Sequence, residues 1–203
     1  MRRILVCVTG MPGSGKSVVV EGIAKELQCP VLSMGDVVRE EAKRRGVKGD
    51  LKSMMEFAKQ LREEMGPMAV AELTAQRVRR INSKVILIDG VRSLDEIACF
   101  SKEGAVITIA VHASPRTRFR RLLHRGRPDD PSNWEDFRER DFKELSFGIG
   151  SVIALADIMI VNEGKGISDI RREAISKLRE ELENVSVASE ERSQTDGGPR
   201  TCA

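Results

Sequence analysis

No tyrosine occurs in this chain, and tryptophan occurs once, as Trp134. Aromatic residues make up 3% of the sequence, too few for a surface on which bases stack in series, so nucleic acid is not expected as a partner. Histidine occurs twice, and the four cysteines (Cys7, Cys29, Cys99 and Cys202) form no CxxC pair. A zinc site is therefore not expected. Three of the cysteines lie in apolar surroundings and read as small core residues, the usage of a reducing compartment. No run of about 18 apolar residues is present, so no membrane-spanning helix is expected. The basic start "MRR" leads into "ILVCV" and then into glycines, too short for the apolar core of a secretory leader. These absences together point to a cytoplasmic protein. Net charge is +3, too small by itself to argue for a polyanionic partner.

What is present is a soluble, globular balance. The 203 residues are 40% hydrophobic and 32% charged, enough for one domain with a sizeable core. Short β-rich runs alternate with longer helical patterns. Strands are expected at 3–9, 30–33, 84–89, 105–111 and 156–162. Several are apolar throughout, as strands buried on both faces of a parallel sheet are. Helices are expected at 15–27, 36–46, 51–65, 67–81, 93–102, 115–125, 132–147 and 167–184. Ser93 with Glu96 and Ser132 with Glu135 fit the capping box. Ser114 before Pro115 fits a cap followed by a first-turn proline. The rhythm predicts an α/β three-layer fold. Two stretches interrupt it: 34–81, with about three helices and no strand, and 114–154, with two helices around the hinge "HRGRPDDPSN". The end, from about 186 to 203, lacks apolar periodicity and reads as a disordered tail.

The most informative stretch is "GMPGSGKS", directly after the first strand and before the first helix. It matches G-x-x-x-x-G-K-[ST] from Gly10 through Met11, Pro12, Gly13, Ser14, Gly15 and Lys16 to Ser17. Glycines let backbone N–H groups converge on phosphate oxygens without side chains intervening. The helix that follows offers its N-terminal amides and the positive end of its dipole. Lys16 is placed to meet the β- and γ-phosphates, and Ser17 to ligate Mg²⁺. A glycine-rich turn that merely fits the pattern would not need both flanking elements. Asp89 closes the run "VILID" and is a candidate Mg²⁺ partner, since ligands gather at the carboxyl edge of parallel strands. Its bland reading is an aspartate that ends a strand.

Phosphoryl transfer depends on positioning and positive charge more than on covalent chemistry. The stretch "PRTRFRRLLHRGR" carries Arg116, Arg118, Arg120, Arg121, Arg125 and Arg127. Arg118, Arg121 and Arg125 share one helix face, and the next helix adds Arg138 and Arg140. A solvated basic face is the bland reading, and an RNA-binding patch a third. Beside a triphosphate site, Arg125, Arg127 and either Arg138 or Arg140 are the best candidates to meet phosphate.

"LSMGDVVREEAKRRG" resembles the "STGDxLR" element of adenylate kinases and other nucleoside monophosphate kinases, with Gly35, Asp36 and Arg39 matching in position. "LIDGVRS" resembles their "LIDGFPR", with the arginine one position earlier, as Arg92. "RLLHRGR" and "FRERDF" resemble the two ends of their mobile lid. "ADIMIVNEG" resembles the last strand and adenine-flanking loop of dephospho-CoA kinases. The chain is most similar to an archaeal family of predicted P-loop kinases that shares "GMPGSGKS", "SMGDVVREE" and "RGRxDDP", a family described only as nucleotide-binding and dephospho-CoA-kinase-like. The resemblance covers 3–184. It implies a five-stranded parallel core (1–33, 82–113 and 155–185), an acceptor-binding insertion (34–81) and a lid (114–154). It implies ATP and Mg²⁺ as cofactors, and Gly35, Arg39 and Arg92 as acceptor contacts. Catalysis would fall to Lys16, Asp36, Arg125, Arg127 and Arg138. Met34 stands where many adenylate kinases have a base-contacting threonine. Gln60 and Gln76 are the remaining candidates to read an adenine.

The function expected is transfer of the γ-phosphoryl of ATP to a small acceptor, a nucleoside monophosphate or a dephospho-CoA-like molecule. An anionic phosphate acceptor needs only arginines, whereas a hydroxyl acceptor wants a carboxylate in reach, for which Asp36 is the candidate. The alternative is a regulatory or assembly ATPase, which would share every donor-site residue.

Overall fold

The computed structural model describes residues 3–49, 51–127 and 130–195. Five strands, β1 (Ile4–Thr9), β2 (Val31–Ser33), β3 (Val85–Asp89), β4 (Ala105–His112) and β5 (Ile158–Val161), form one sheet in the order β2-β3-β1-β4-β5. Every pairing is parallel. Both faces of the sheet are covered, which is why the central strands read as unbroken apolar runs. Leu5 and Cys7 of β1 point into one core layer with Ile86 and Ile88 of β3. Val6 and Val8 point into the other, with Leu87, Ile107 and Ile109.

One face is covered by α1 (Lys16–Leu27) and α9 (Ile167–Thr195), through Val19 and Ile23 of α1 and Ile170, Ala174 and Leu178 of α9. The other carries α2 (Met34–Arg44), α3 (Leu51–Met65), α4 (Ala69–Arg80) and α5 (Leu94–Ser101). The last three helices are α6 (Pro115–Arg125), α7 (Trp134–Ser146) and α8 (Ile149–Ala154). Cys7, Cys29 and Cys99 are buried free thiols, and burial pushes their pKa values up. Cys202 lies outside the described residues. Among the described residues no helix is long and apolar enough to cross a membrane.

Three expectations need correction. The stretch 114–154 holds a third helix, α8, six residues long. It is too short for helical periodicity to register, and it forms because Ile149 and Val152 bury against the sheet layer. The cap of α7 is Asn133, one residue later than the capping box at Ser132 and Glu135; its side-chain oxygen accepts from Asp136 N at 2.9 Å. The expected tail from 186 is helical as far as Thr195. No glycine or proline interrupts "VASEERSQT" before Gly197, so local propensity extends the helix. Residues 196–203 lie outside the described residues. The other caps hold: Ser93 Oγ accepts from Glu96 N at 3.2 Å and Ser114 Oγ from Thr117 N at 3.4 Å.

The fold positions the site through strand register. Ser33 pairs with Asp89, and Asp89 with Val8. The starts of the P-loop, of α2 and of the turn after β3 therefore share one edge of the sheet.

The apolar anchors of α9 end with Leu182 and Val185, which pack against the core. A chain ending at Val185 is expected to keep its thermal midpoint within about 2–4 °C. A chain ending at Lys177 also loses Leu178, which is 1% exposed, and its midpoint should fall by about 10 °C. Equal midpoints for the two in a thermal scan would contradict this packing.

Candidate active site

The loop Gly10–Ser17 joins β1 to α1, and its backbone takes conformations that L side chains rarely adopt. Gly10, Gly13 and Gly15 have φ of 145°, 79° and 96°. All three also face tight neighbours, a Cβ on Gly10 overlapping the Val111 carbonyl oxygen. A Cβ on Gly13 would lie 2.7 Å from the Arg118 carbonyl oxygen, and one on Gly15 would overlap Asn162 Nδ2. The glycines thus serve the packing behind the loop as well as the concavity in front of it.

Lys16 starts α1 and folds its Nζ back onto the Gly10 and Met11 carbonyls, at 2.6 and 3.4 Å. Burial pulls its pKa down to about 8, against the attraction of Asp89. Burial likewise pushes the Asp89 carboxyl up, and Lys16 and Arg92 oppose it. Among the described residues, the buried side-chain polar atoms without a hydrogen bond are Ser14 Oγ and Asp89 Oδ1. Both belong to this site. A glycine-lined backbone loop, the half-buried Lys16 ammonium and an orphaned carboxylate oxygen fit a polyphosphate and a divalent cation.

Beside the loop is a cleft of about 160 Å³ between α2, α3, α7 and the turn after β3. Arg39, Arg62, Arg92, Arg140 and Lys143 line it, against one carboxylate, Glu144. Val38, Met54, Ala58 and Phe147 give it an apolar wall. A smaller cavity of about 30 Å³, lined by Gly10, Lys16 and Gly90, adjoins it. Arg92 and Glu144 line both, so the two spaces meet at that pair.

Two of these cations, Arg92 and Arg62, face carboxylates from other elements. Arg92 Nε donates to Glu144 Oε2 at 2.8 Å. Burial acts to raise the Glu144 carboxyl, and Arg92 overrides it, leaving it below the usual range. Glu96, 1% exposed, accepts from Arg92 N at 2.7 Å and faces Arg62 at 3.5 Å. Arg62 also lies over the Phe147 ring, 4.8 Å from its centroid.

The residues anticipated from sequence divide into two groups. Gly35, Arg39 and Arg92 line the cleft, and Asp89 closes β3 at the same sheet edge as the loop. Asp36 accepts from Arg39 through a close ion pair. Arg125, Arg127 and Arg138 are not among the residues lining either cavity. Arg125 forms a forked pair with Asp130, at 2.8 and 2.5 Å. Arg127 is exposed and its backbone N–H donates to the same carboxylate at 3.0 Å. Arg138 lies over the Phe142 ring, and Arg140 is the one that reaches the cleft. Met34 is fully buried. Gln60 is exposed and donates to Glu64, and Gln76 is exposed on α4. The shared face of Arg118, Arg121 and Arg125 does not present a row of phosphate ligands. Arg118, 3% exposed, pairs with Asp141 at 2.8 and 2.5 Å and donates to Pro12 O at 3.2 Å. The acids that neutralise this row, Asp130 and Asp141, are supplied from the α6–α7 connection and from α7, beyond the reach of a local reading.

Arg62, Lys143, Glu144 and Phe147 carried no motif. The signal available for Arg62 was an arginine in a helical stretch already expected to bind the acceptor.

Arg118→Ala leaves the partly buried Asp141 without its partner, so it is expected to cost about 2–3 kcal/mol of stability. Urea unfolding measures this, and a loss under about 1 kcal/mol would contradict a buried structural pair.

Comparison with known proteins identifies the fold and the family. A family model described as an AAA domain matches residues 9–138. A UPF0200 protein of Hyperthermus butylicus is 55% identical over 161 residues, 79% of this chain and 86% of that protein. One from Thermococcus kodakarensis is 48% identical over 86% of this chain and the whole of its own length. Among solved structures, a shikimate kinase from Aquifex aeolicus aligns with a TM-score of 0.54 at 17% identity, over 88% of this chain and 98% of its own. A gluconokinase from Sinorhizobium meliloti aligns at 0.57 and 18% identity, over 91% and 96%. At such identities the likeness establishes a P-loop kinase-like fold. The AAA-domain match spans the loop, the insertion and α6, and the identity to full-length relatives is high: the chain belongs to the UPF0200 family of archaeal P-loop proteins.

Proposed function

We propose that this protein is a kinase that transfers the γ-phosphoryl of ATP to a small anionic acceptor of the nucleotide class. The observation that carries this is the junction of two cavities at Arg92 and Glu144. One is lined by Gly10, Pro12 and Lys16 of the P-loop, and the other is walled by cations and apolar side chains. A switch ATPase has no need of the second.

The donor's phosphates would lie along the amides of Gly13–Ser17, with Lys16 leaving the Gly10 carbonyl to meet them. Mg²⁺ held between Ser17 and Asp89 would neutralise charge on the β- and γ-phosphates. Arg39, Arg62 and Arg92 would hold the acceptor's anionic group, and Met54 and Phe147 its apolar part. Arg140 and Lys143 reach the cleft from α7 and would stabilise charge on the transferring group. Closure of 114–154 over the site would exclude water. Glu144, the carboxylate that lines the cleft, and Asp36 on α2 are already held by Arg92 and Arg39. That favours an acceptor whose oxygen is already anionic, such as a nucleoside monophosphate, over a dephospho-CoA-like hydroxyl that needs a free base. With no membrane-crossing helix among the described residues, action on soluble metabolites in the cytoplasm is the consistent setting.

The test is a panel of nucleoside monophosphates, dephospho-CoA and small hydroxy acids with ATP and Mg²⁺, followed by product mass. Acceptor-dependent ADP release with equimolar phosphorylated product is expected. ADP release indifferent to every acceptor would favour the regulatory ATPase. Lys16→Ala should lower turnover about 100- to 1000-fold with the fold intact; a loss of only a few-fold would defeat the P-loop assignment. Arg39→Ala should raise the acceptor KM and leave the ADP Kd, measured without acceptor, unchanged. Equal weakening of both would move Arg39 out of the acceptor site.

A further inference from the structure

Behind the P-loop, on the side away from the cradle, two side chains from distant elements converge on its carbonyls. Asn162 follows β5 and is 7% exposed. Its backbone N–H donates to His112 O at 2.7 Å, which fixes it beside the end of β4. Its Nδ2 donates to Ser14 O at 2.8 Å. Arg121, from the middle of α6, donates through Nη1 to the same Ser14 oxygen at 3.2 Å. Its Nη2 donates to Asn162 O and Oδ1 at 3.0 and 3.1 Å. The Ser14 carbonyl thus receives two donors, and the donors are bonded to each other.

A trans peptide is planar, with its C=O and N–H pointing in opposite directions. Holding the Ser14 oxygen toward Asn162 and Arg121 therefore turns the Gly15 N–H the opposite way, toward the cradle. Gly15 is where Asn162 comes closest to the loop: a Cβ there would overlap Nδ2. An unrestrained glycine-flanked peptide can rotate and present its carbonyl to the phosphates instead, which repels them. The neighbouring Ser14 N–H needs no such help, because it donates to Met11 O at 3.1 Å.

We propose that Arg121 and Asn162 are positioning residues that lock the Ser14–Gly15 peptide with its N–H facing the polyphosphate. They act through the loop backbone and touch neither substrate. The proposal rests on the reading of Gly10–Ser17 as a nucleotide phosphate site.

Calorimetry with Mg²⁺ and two probes, ADP and inorganic tripolyphosphate, tests it on the full chain of wild type, Asn162→Ala, Arg121→Ala and the double variant. Thermal scans accompany each. A lock on the cradle predicts that each single variant weakens both probes by about tenfold. It also predicts that the double variant is little weaker than either single one, because both donors hold one oxygen. Loss of ADP affinity with tripolyphosphate unchanged would make these residues readers of the nucleoside and overturn the proposal. So would a lowered melting temperature with both affinities retained, the mark of a merely structural brace. If wild type binds neither probe, the nucleotide reading falls, and this proposal with it. Should the alanine variants fail to fold, Asn162→Ser and Arg121→Lys carry the same comparison with smaller changes of shape.

Discussion

A loop that binds phosphate through its backbone has to hold that backbone in one conformation without filling its own concavity with side chains. Here the restraint comes from behind. The Pro12, Gly13 and Ser14 carbonyls are engaged by Arg118, Arg121 and Asn162, and three glycines with positive φ let those groups come close. The arginines of α6 that sequence suggests as phosphate ligands divide accordingly. Arg118 and Arg121 set the loop, and Arg125 ties the α6–α7 connection through Asp130. Positive charge beside a phosphate site is used here to shape the site as well as to attract the ligand.

The same economy governs the cleft. Five cations around one space would repel one another strongly in a medium of low polarity. Carboxylates delivered from other elements relieve this: Glu144 on α7 pairs with Arg92, and Glu96 on α5 faces Arg62. The Arg92–Glu144 pair also joins 114–154 to the turn after β3, so the boundary between the two cavities is itself an ion pair.

Much of the fold was legible because its physics is local. Strands buried on both faces are apolar without alternation, and all five were expected within two residues of where they lie. The long helices announced themselves by periodicity and by caps such as Ser93 and Ser114. The short helix α8 and the extension of α9 to Thr195 were not legible. The first is stabilised by burial of Ile149 and Val152 rather than by pattern, and the second is propensity without an apolar face. Of the candidate site, the loop Gly10–Ser17 and the placement of Asp89, Gly35, Arg39 and Arg92 could be read from motif and position.

What the sequence determined by itself is therefore the part carried by consecutive residues: a strand, a glycine-rich turn and a helix start in the pattern of a phosphate cradle. Only the tertiary structure decided which charges remain available around it. Arg118 meets Asp141 across 23 positions, Arg92 meets Glu144 across 52, and Arg121 and Asn162 meet Ser14 across 107 and 148. Side-chain electrostatics at close range depends on separation in space, and no spacing along the chain encodes which carboxylate the fold will set against which arginine.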